Sequence, residues 1–279
     1  MPKPPRSGQS ESIGSWSPIP RHGFFCAGTR CRAILFFMSP ASPEFHPDCP
    51  KITAWQPAPM PPPLGDGELH LWRLDDPENP PPTPDQQPLS TRERERAEGI
   101  RNPAARDTFL HSRCATRRIL GGYLGIDPGD IRFAYGPHGK PYIDNSGATL
   151  KFNLTHSDRL CLLAVTRNLE VGLDTERIRR RRGMDRIAAR MFDEERVRHL
   201  ASLPKHQRLS MFYVYWTWME AVVKARGGGL FDGCSRELAA MPHACFISHP
   251  GFQACVVVDG PCPPLGEWRT LLFDSVADA

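Results

Sequence analysis

In the run VGLDTERI, Asp174 and Glu176 stand two apart on what reads as a strand, so both side chains leave the same face. In WTWMEAVVKARGGG, Glu220 and Lys224 stand four apart, one helical turn, among Phe212, Tyr213, Tyr215, Trp216, Trp218 and Val222. A helix apolar on nearly every side is a buried helix, and charges inside it cost roughly several kcal/mol unless paired or put to use. Brought together, the three carboxylates make a hard oxygen cluster that suits Mg²⁺, with positions left for water and substrate phosphate oxygens. Each pair alone has a plainer reading: a DxE pair suits a solvated strand edge, and a Glu–Lys pair a surface salt bridge. The apolar neighbours of Glu220 and Lys224 weigh against the salt bridge.

Two further stretches carry chemistry. FNLTHSD places His156 after a strand-like run, in a loop rich in hydrogen-bonding groups. GPHGKPYI holds Lys140 between a glycine and a proline in a fixed turn, which suits a phosphate contact. Lone histidines and exposed turn lysines are also common as structural residues.

These residues need elements to position them. GELHLWRL alternates as a half-buried strand; a proline-rich break follows; then Ser90 or Thr91 caps a helix through RERERAEGI. A longer helix runs on from Pro103, followed by the strand IRFAY, the turn GPHGKP, and strands around LKFNLTHS and LCLLAVT. The second half repeats that order: EVGLDTERI as a strand, MDRIAARMF and DEERVRHLASL as helices, a long helix after Pro204, then ACFIS, FQACVVVD and EWRTLLF as strands. The recurrence predicts an α+β fold of two similar halves, 66–168 and 169–273, with the site between them and the metal ligands in the second. Residues 1–65, rich in proline, serine and glycine without hydrophobic period, read as a disordered extension, and 274–279 as a tail.

The chain of 279 residues carries a formal charge of +4, which permits acidic partners without requiring nucleic acid. RIRRRRG is a dense basic run, but aromatic residues do not interleave with it. No apolar stretch is long enough to span a bilayer. The nine cysteines form no CxxC pair, which argues against a zinc site or disulfide framework and suits a reducing cytoplasm.

Taken in order, GKPYI, FNLTHSD, VGLDTE, RMFDEE and WTWMEAVVKARGGG resemble the signatures of the Sfp-type 4′-phosphopantetheinyl transferases. The resemblance implies two α+β halves related by pseudo-twofold symmetry. It implies an enzyme that moves the phosphopantetheine arm of coenzyme A onto a serine of an acyl or peptidyl carrier protein, with Mg²⁺, releasing 3′,5′-adenosine bisphosphate. By motif, Asp174, Glu176 and Glu220 hold Mg²⁺ on the pyrophosphate. Glu220 or a water beside it takes the serine proton, and Lys224 neutralises the leaving phosphate. His156 and Lys140 match positions at the 3′-phosphate region. Arg92, Arg94 or Arg96 adds to that pocket; no motif fixes which, and Arg96 stands as the candidate. Two homologous halves make a monomer sufficient. One residue departs from the family: Met219 stands where a lysine usually precedes the helix glutamate, and a transferase that binds coenzyme A or carriers without turnover is the alternative it raises.

Overall fold

A computed structural model describes residues 48–75, 88–145, 147, 149–228 and 241–273. The strands are β1 (Gln56–Ala58), β2 (Leu69–Asp75), β3 (Phe133–Tyr135), β4 (Pro141–Ile143), β5 (Leu150–Ser157), β6 (Leu160–Arg167), β7 (Val171–Arg177), β8 (His243–His249), β9 (Phe252–Val258) and β10 (Arg269–Phe273). The helices are α1 (Thr91–Glu98), α2 (Pro103–Leu124), α3 (Met184–Met191), α4 (Glu194–Ser202) and α5 (Lys205–Arg226). The fold is α+β.

Local chemistry sets the helix ends. Ser90 and Glu93 form a reciprocal capping box at α1, and Asn102 caps α2 with Pro103 in its first turn. Both long helices stop at a left-handed glycine, Gly125 with φ 66° and Gly227 with φ 65°.

Two sheets lie face to face between the long helices. One has the order β1-β10-β2-β6-β5 and the other β7-β9-β8, with β3 and β4 as a separate hairpin. Strand alternation distributes the apolar residues among the layers. On β6, Cys161, Leu163 and Val165 pack with α2, while Leu160, Leu162 and Ala164 face the second sheet. On β9, Ala254, Val256 and Val258 return that contact, while Cys255 and Val257 turn to α5. The layers are therefore α2, sheet, sheet, α5. The order first, third, second strand occurs in both sheets, as β2-β6-β5 and β7-β9-β8, each packed with a helix of 22 residues.

The segment before residue 65 departs from the sequence expectation. Cys49, Ala58 and Leu64 are buried, β1 pairs in parallel with β10, and Ile52 N–H donates to Ile247 O at 3.0 Å. Residues 48–64 are therefore part of the body, held by backbone pairing that a proline-rich sequence with no hydrophobic alternation does not announce. Residues 1–47 and 274–279 lie outside the described residues. The division at residue 168 also misses one strand: β10 follows the second half in sequence but pairs with β2 of the first half's sheet.

Candidate active site

Strand β7 presents Asp174 and Glu176 toward α5, and α5 presents Glu220 and Lys224 back toward it. Gly172 makes this approach possible. A Cβ there would fall 1.9 Å from Ala221 O and 2.4 Å from Ala225 N, so the helix can lie directly on the strand only over a glycine. The glycine of VGLD is the one trace of this approach in the sequence.

Lys224 Nζ donates to Asp174 Oδ1 at 2.6 Å and, at 3.3 Å each, to Thr155 Oγ1 and Leu173 O. The site also draws on the first sheet. Alternate residues of its edge strand β5 hydrogen-bond along β7: Asn153 Oδ1 accepts the Leu173 N–H at 2.8 Å, Thr155 Oγ1 donates to Asp174 Oδ1 at 3.2 Å, and Ser157 Oγ donates to Glu176 Oε2 at 3.0 Å. Ser157 Oγ also accepts the Arg177 N–H at 3.0 Å. These side chains close the seam between the two sheet edges. Thr155 and Ser157 are site residues that the DxE motif alone did not expose.

Confinement governs the charges. Burial, and then the Asp174 charge, push the Glu220 carboxyl up to about 7 against the pull of Lys224. Burial also raises Asp174 and Glu176, the latter opposed by Ser157 and Arg181. Burial would lower Lys224, but Asp174 and Glu220 outweigh it and hold the ammonium above its usual range.

Asp174 Oδ2 and Glu220 Oε1 are buried without a hydrogen-bond partner, an arrangement that costs free energy unless something binds them. They are hard oxygens, and Mg²⁺ is commonly held by one or two carboxylates with water and phosphate oxygens completing its shell. The donor set fits that ion. Among the described residues no three His, Cys, Asp or Glu side chains are gathered to hold a metal as they stand, and Glu176 Oε2 is engaged by Ser157.

A basic cluster lies on the opposite side of the first sheet, beside α1 and α2. The Arg96 and Arg113 guanidiniums both lie over the Phe109 ring, at 5.5 and 5.6 Å from its centroid, and Arg92 lies over Tyr135 at 4.7 Å. Burial and then the Arg113 charge lower the pKa of Arg96, and burial lowers that of Arg113 against the pull of Glu93, so an anion there would be favoured. Of the three candidate arginines, Arg96 is the half-buried one, whereas Arg92 and Arg94 are exposed. Arg113, buried on α2, was hidden in a stretch that reads as plain amphipathic helix. His156 is exposed near the end of β5, in register with Cys161 of β6.

Lys140 stands apart from the acidic set. Its Nζ donates to Glu170 Oε2 at 2.9 Å, Val171 O at 3.2 Å and Ala225 O at 3.0 Å, so the three N–H groups of the ammonium all point at protein. Met219 is buried in the apolar cluster that α5 shares with β8, β9, α3 and α4. The RMFDEE stretch serves structure: Asp193 caps α4 and pairs with buried Arg196, which lies 4.5 Å over the Trp218 ring.

The sequence model of the 4′-phosphopantetheinyl transferase superfamily matches residues 170–244, from the start of β7 into β8. The chain is 38% identical over 196 residues to 4′-phosphopantetheinyl transferase HetI of a Nostoc species, covering 67% of this chain and 81% of HetI. It is 30% identical over 203 residues to 4′-phosphopantetheinyl transferase Sfp of Bacillus subtilis, covering 62% of this chain and 89% of Sfp. It is 34% identical over 134 residues to 4′-phosphopantetheinyl transferase AcpT of Escherichia coli, covering 48% of this chain and 67% of AcpT. The chain belongs to the 4′-phosphopantetheinyl transferase superfamily and is an enzyme of the transferase class.

Proposed function

We propose that this enzyme moves the 4′-phosphopantetheine group of coenzyme A onto a serine of an acyl or peptidyl carrier protein and releases 3′,5′-adenosine bisphosphate. The observation that carries the reading is the convergence of Asp174, Glu176, Glu220 and Lys224 where β7 meets α5, with two carboxylate oxygens buried and unsatisfied. The names of HetI, Sfp and AcpT support the group that is transferred.

Asp174 and Glu220, with Glu176 beside them, would hold Mg²⁺, which when bound supplies positive charge against the pyrophosphate. Glu220, or a water hydrogen-bonded to it, takes the proton of the carrier serine as its oxygen forms the new P–O bond. The pyrophosphate P–O bond breaks, its electron pair leaves on the adenosine bisphosphate, and Lys224 neutralises that charge. Arg96 and Arg113, with His156, would receive the 3′-phosphate. Arg179 to Arg182 form the rim of the site and suit an acidic carrier. The backbone there is held by Tyr213 OH donating to Arg179 O at 2.9 Å and by the Arg177–Asp158 ion pair at 3.1 Å.

The repeated strand order and the matched long helices support two pseudo-twofold halves divided near residue 168, with β10 crossing back to the first sheet, in an enzyme complete as a monomer. The absence of any CxxC pair in the sequence supports a reducing cytoplasm, and no described helix is long and apolar enough to cross a membrane.

The test follows the nucleotide. With a purified carrier, coenzyme A and Mg²⁺, chromatography should detect 3′,5′-adenosine bisphosphate in step with carrier consumed, lost with EDTA and restored by excess Mg²⁺. Full turnover by a metal-free preparation contradicts the metal assignment, and nucleotide release without a carrier contradicts the transfer.

A further inference from the structure

The GPHGKP turn closes on itself through Gly136 N–H to Lys140 O at 2.9 Å, with Gly139 at φ 81°, so the backbone from which Lys140 extends is fixed. The three acceptors around its ammonium come from two elements: Glu170 and Val171 at the start of β7, and Ala225 in the last turn of α5. Those elements carry Asp174 and Lys224. They cross at Gly172, where no side chain could separate them, and Lys140 grips both from the hairpin side. Ala225 O is among the final carbonyls of α5, which have no intrahelical N–H partner and form the negative end of the helix dipole, so a cation there is favoured. Glu170 is fixed in turn by Lys151 of β5, whose Nζ lies 2.8 Å from its Oε1.

Lys224 also has three protein acceptors, but the two lysines differ. One partner of Lys224 is Asp174, an oxygen donor that a bound cation would claim, and its side chain is 26% exposed. None of the Lys140 acceptors belongs to the acidic set, and its side chain is 14% exposed.

We infer that Lys140 is a positioning residue that pins the last turn of α5 to the start of β7, and that it does not bind the coenzyme A phosphate. The inference rests on the transfer reaction proposed above, and it departs from the phosphate contact implied by the sequence resemblance.

The test compares coenzyme A with 3′-dephospho-coenzyme A in wild type and Lys140→Met, using a purified acyl carrier protein. Positioning predicts that kcat falls about tenfold with both coenzymes, while the wild-type ratio of kcat/KM between them holds within about twofold. The Mg²⁺ concentration for half-maximal rate should rise at least about threefold, a shift that mere loss of folded enzyme does not produce. A ratio that collapses toward one, with the loss concentrated on coenzyme A, overturns the inference and makes Lys140 a phosphate ligand. A folded variant with wild-type kcat and Mg²⁺ dependence overturns it as well. If Lys140→Met does not fold, Glu170→Gln carries the test: the ratio should stay intact with a fall in kcat of about threefold. A changed ratio or an unchanged kcat there overturns it. Wild type that transfers nothing contradicts the proposed reaction itself, and leaves Lys140 no turnover to support.

Discussion

Glu220 is the residue on which burial and chemistry bear most directly. Its carboxyl is held near 7 in the folded chain against an ordinary value of 4.5, so between those values the folded state keeps a proton the unfolded state has released. Stability of the metal-free protein should therefore fall as pH rises through that window and level off above it, by at most about 3 kcal/mol from this group. Melting temperatures in EDTA from pH 4.5 to 8 should decline more steeply for wild type than for Glu220→Gln; superimposable curves would show that Glu220 titrates normally. Met219 poses the opposite problem. A lysine usually stands here in the family, but the Met219 side chain is only 5% exposed and belongs to the core. Met219→Lys should cost about 2–4 kcal/mol in chemical denaturation while changing kcat/KM of the folded enzyme less than tenfold. An unchanged midpoint with a large gain in activity would return Met219 to the active site.

At the scale of elements, the site depends on how closely α5 lies on β7. Gly172→Ala places a methyl group where Ala221 O and Ala225 N already are, so the helix must shift and carry Glu220 and Lys224 with it. Turnover should drop at least about a hundredfold, with soluble protein still recoverable. Turnover near wild type would mean that the strand and helix are not as close as described. Most elements were legible, because β6 and β9 are short, nearly unbroken apolar runs, as strands buried on both faces are, and α1 and α2 carry their caps in plain sequence. The Glu220 and Lys224 pair was legible because the two charges interrupt an apolar helix. The rest depended on three-dimensional neighbours. Arg113 faces Arg96 only once α2 packs beside α1, and Thr155 and Ser157 matter only because β5 borders β7. Lys140 sits in a turn whose sequence suggests exposure, yet its ammonium is consumed by two helix and strand carbonyls and Glu170.

At the scale of the molecule, one stretch crosses the layers. Residues 49 to 64 place Cys49 in the core under α5, pack Ile52 and Trp55 between the sheets, and bury Ala58 and Leu64 beside α2. A strap that touches the three largest apolar cores joins the halves, although its composition reads as disorder. A chain starting at Pro63 should therefore melt at least about 5 °C below one starting at Asp48, since it loses β1 and several buried apolar groups. Equal melting temperatures would return this stretch to the dispensable extension that its composition suggests. The strap and β10 together make the two sheets one body, and the seam between β5 and β7 is where the proposed chemistry is placed on it.

The central claim is that this seam transfers phosphopantetheine to a carrier serine. Intact-mass spectrometry of a purified carrier, incubated with the enzyme, coenzyme A and Mg²⁺, tests it most directly. The account predicts a single phosphopantetheine mass increment on the carrier with wild-type enzyme. It predicts no increment on a carrier whose acceptor serine is alanine, and a rate lowered by roughly two powers of ten or more with Asp174→Ala or Glu220→Ala. No increment on any acyl or peptidyl carrier with folded wild-type enzyme, or an undiminished rate in both variants, would contradict it.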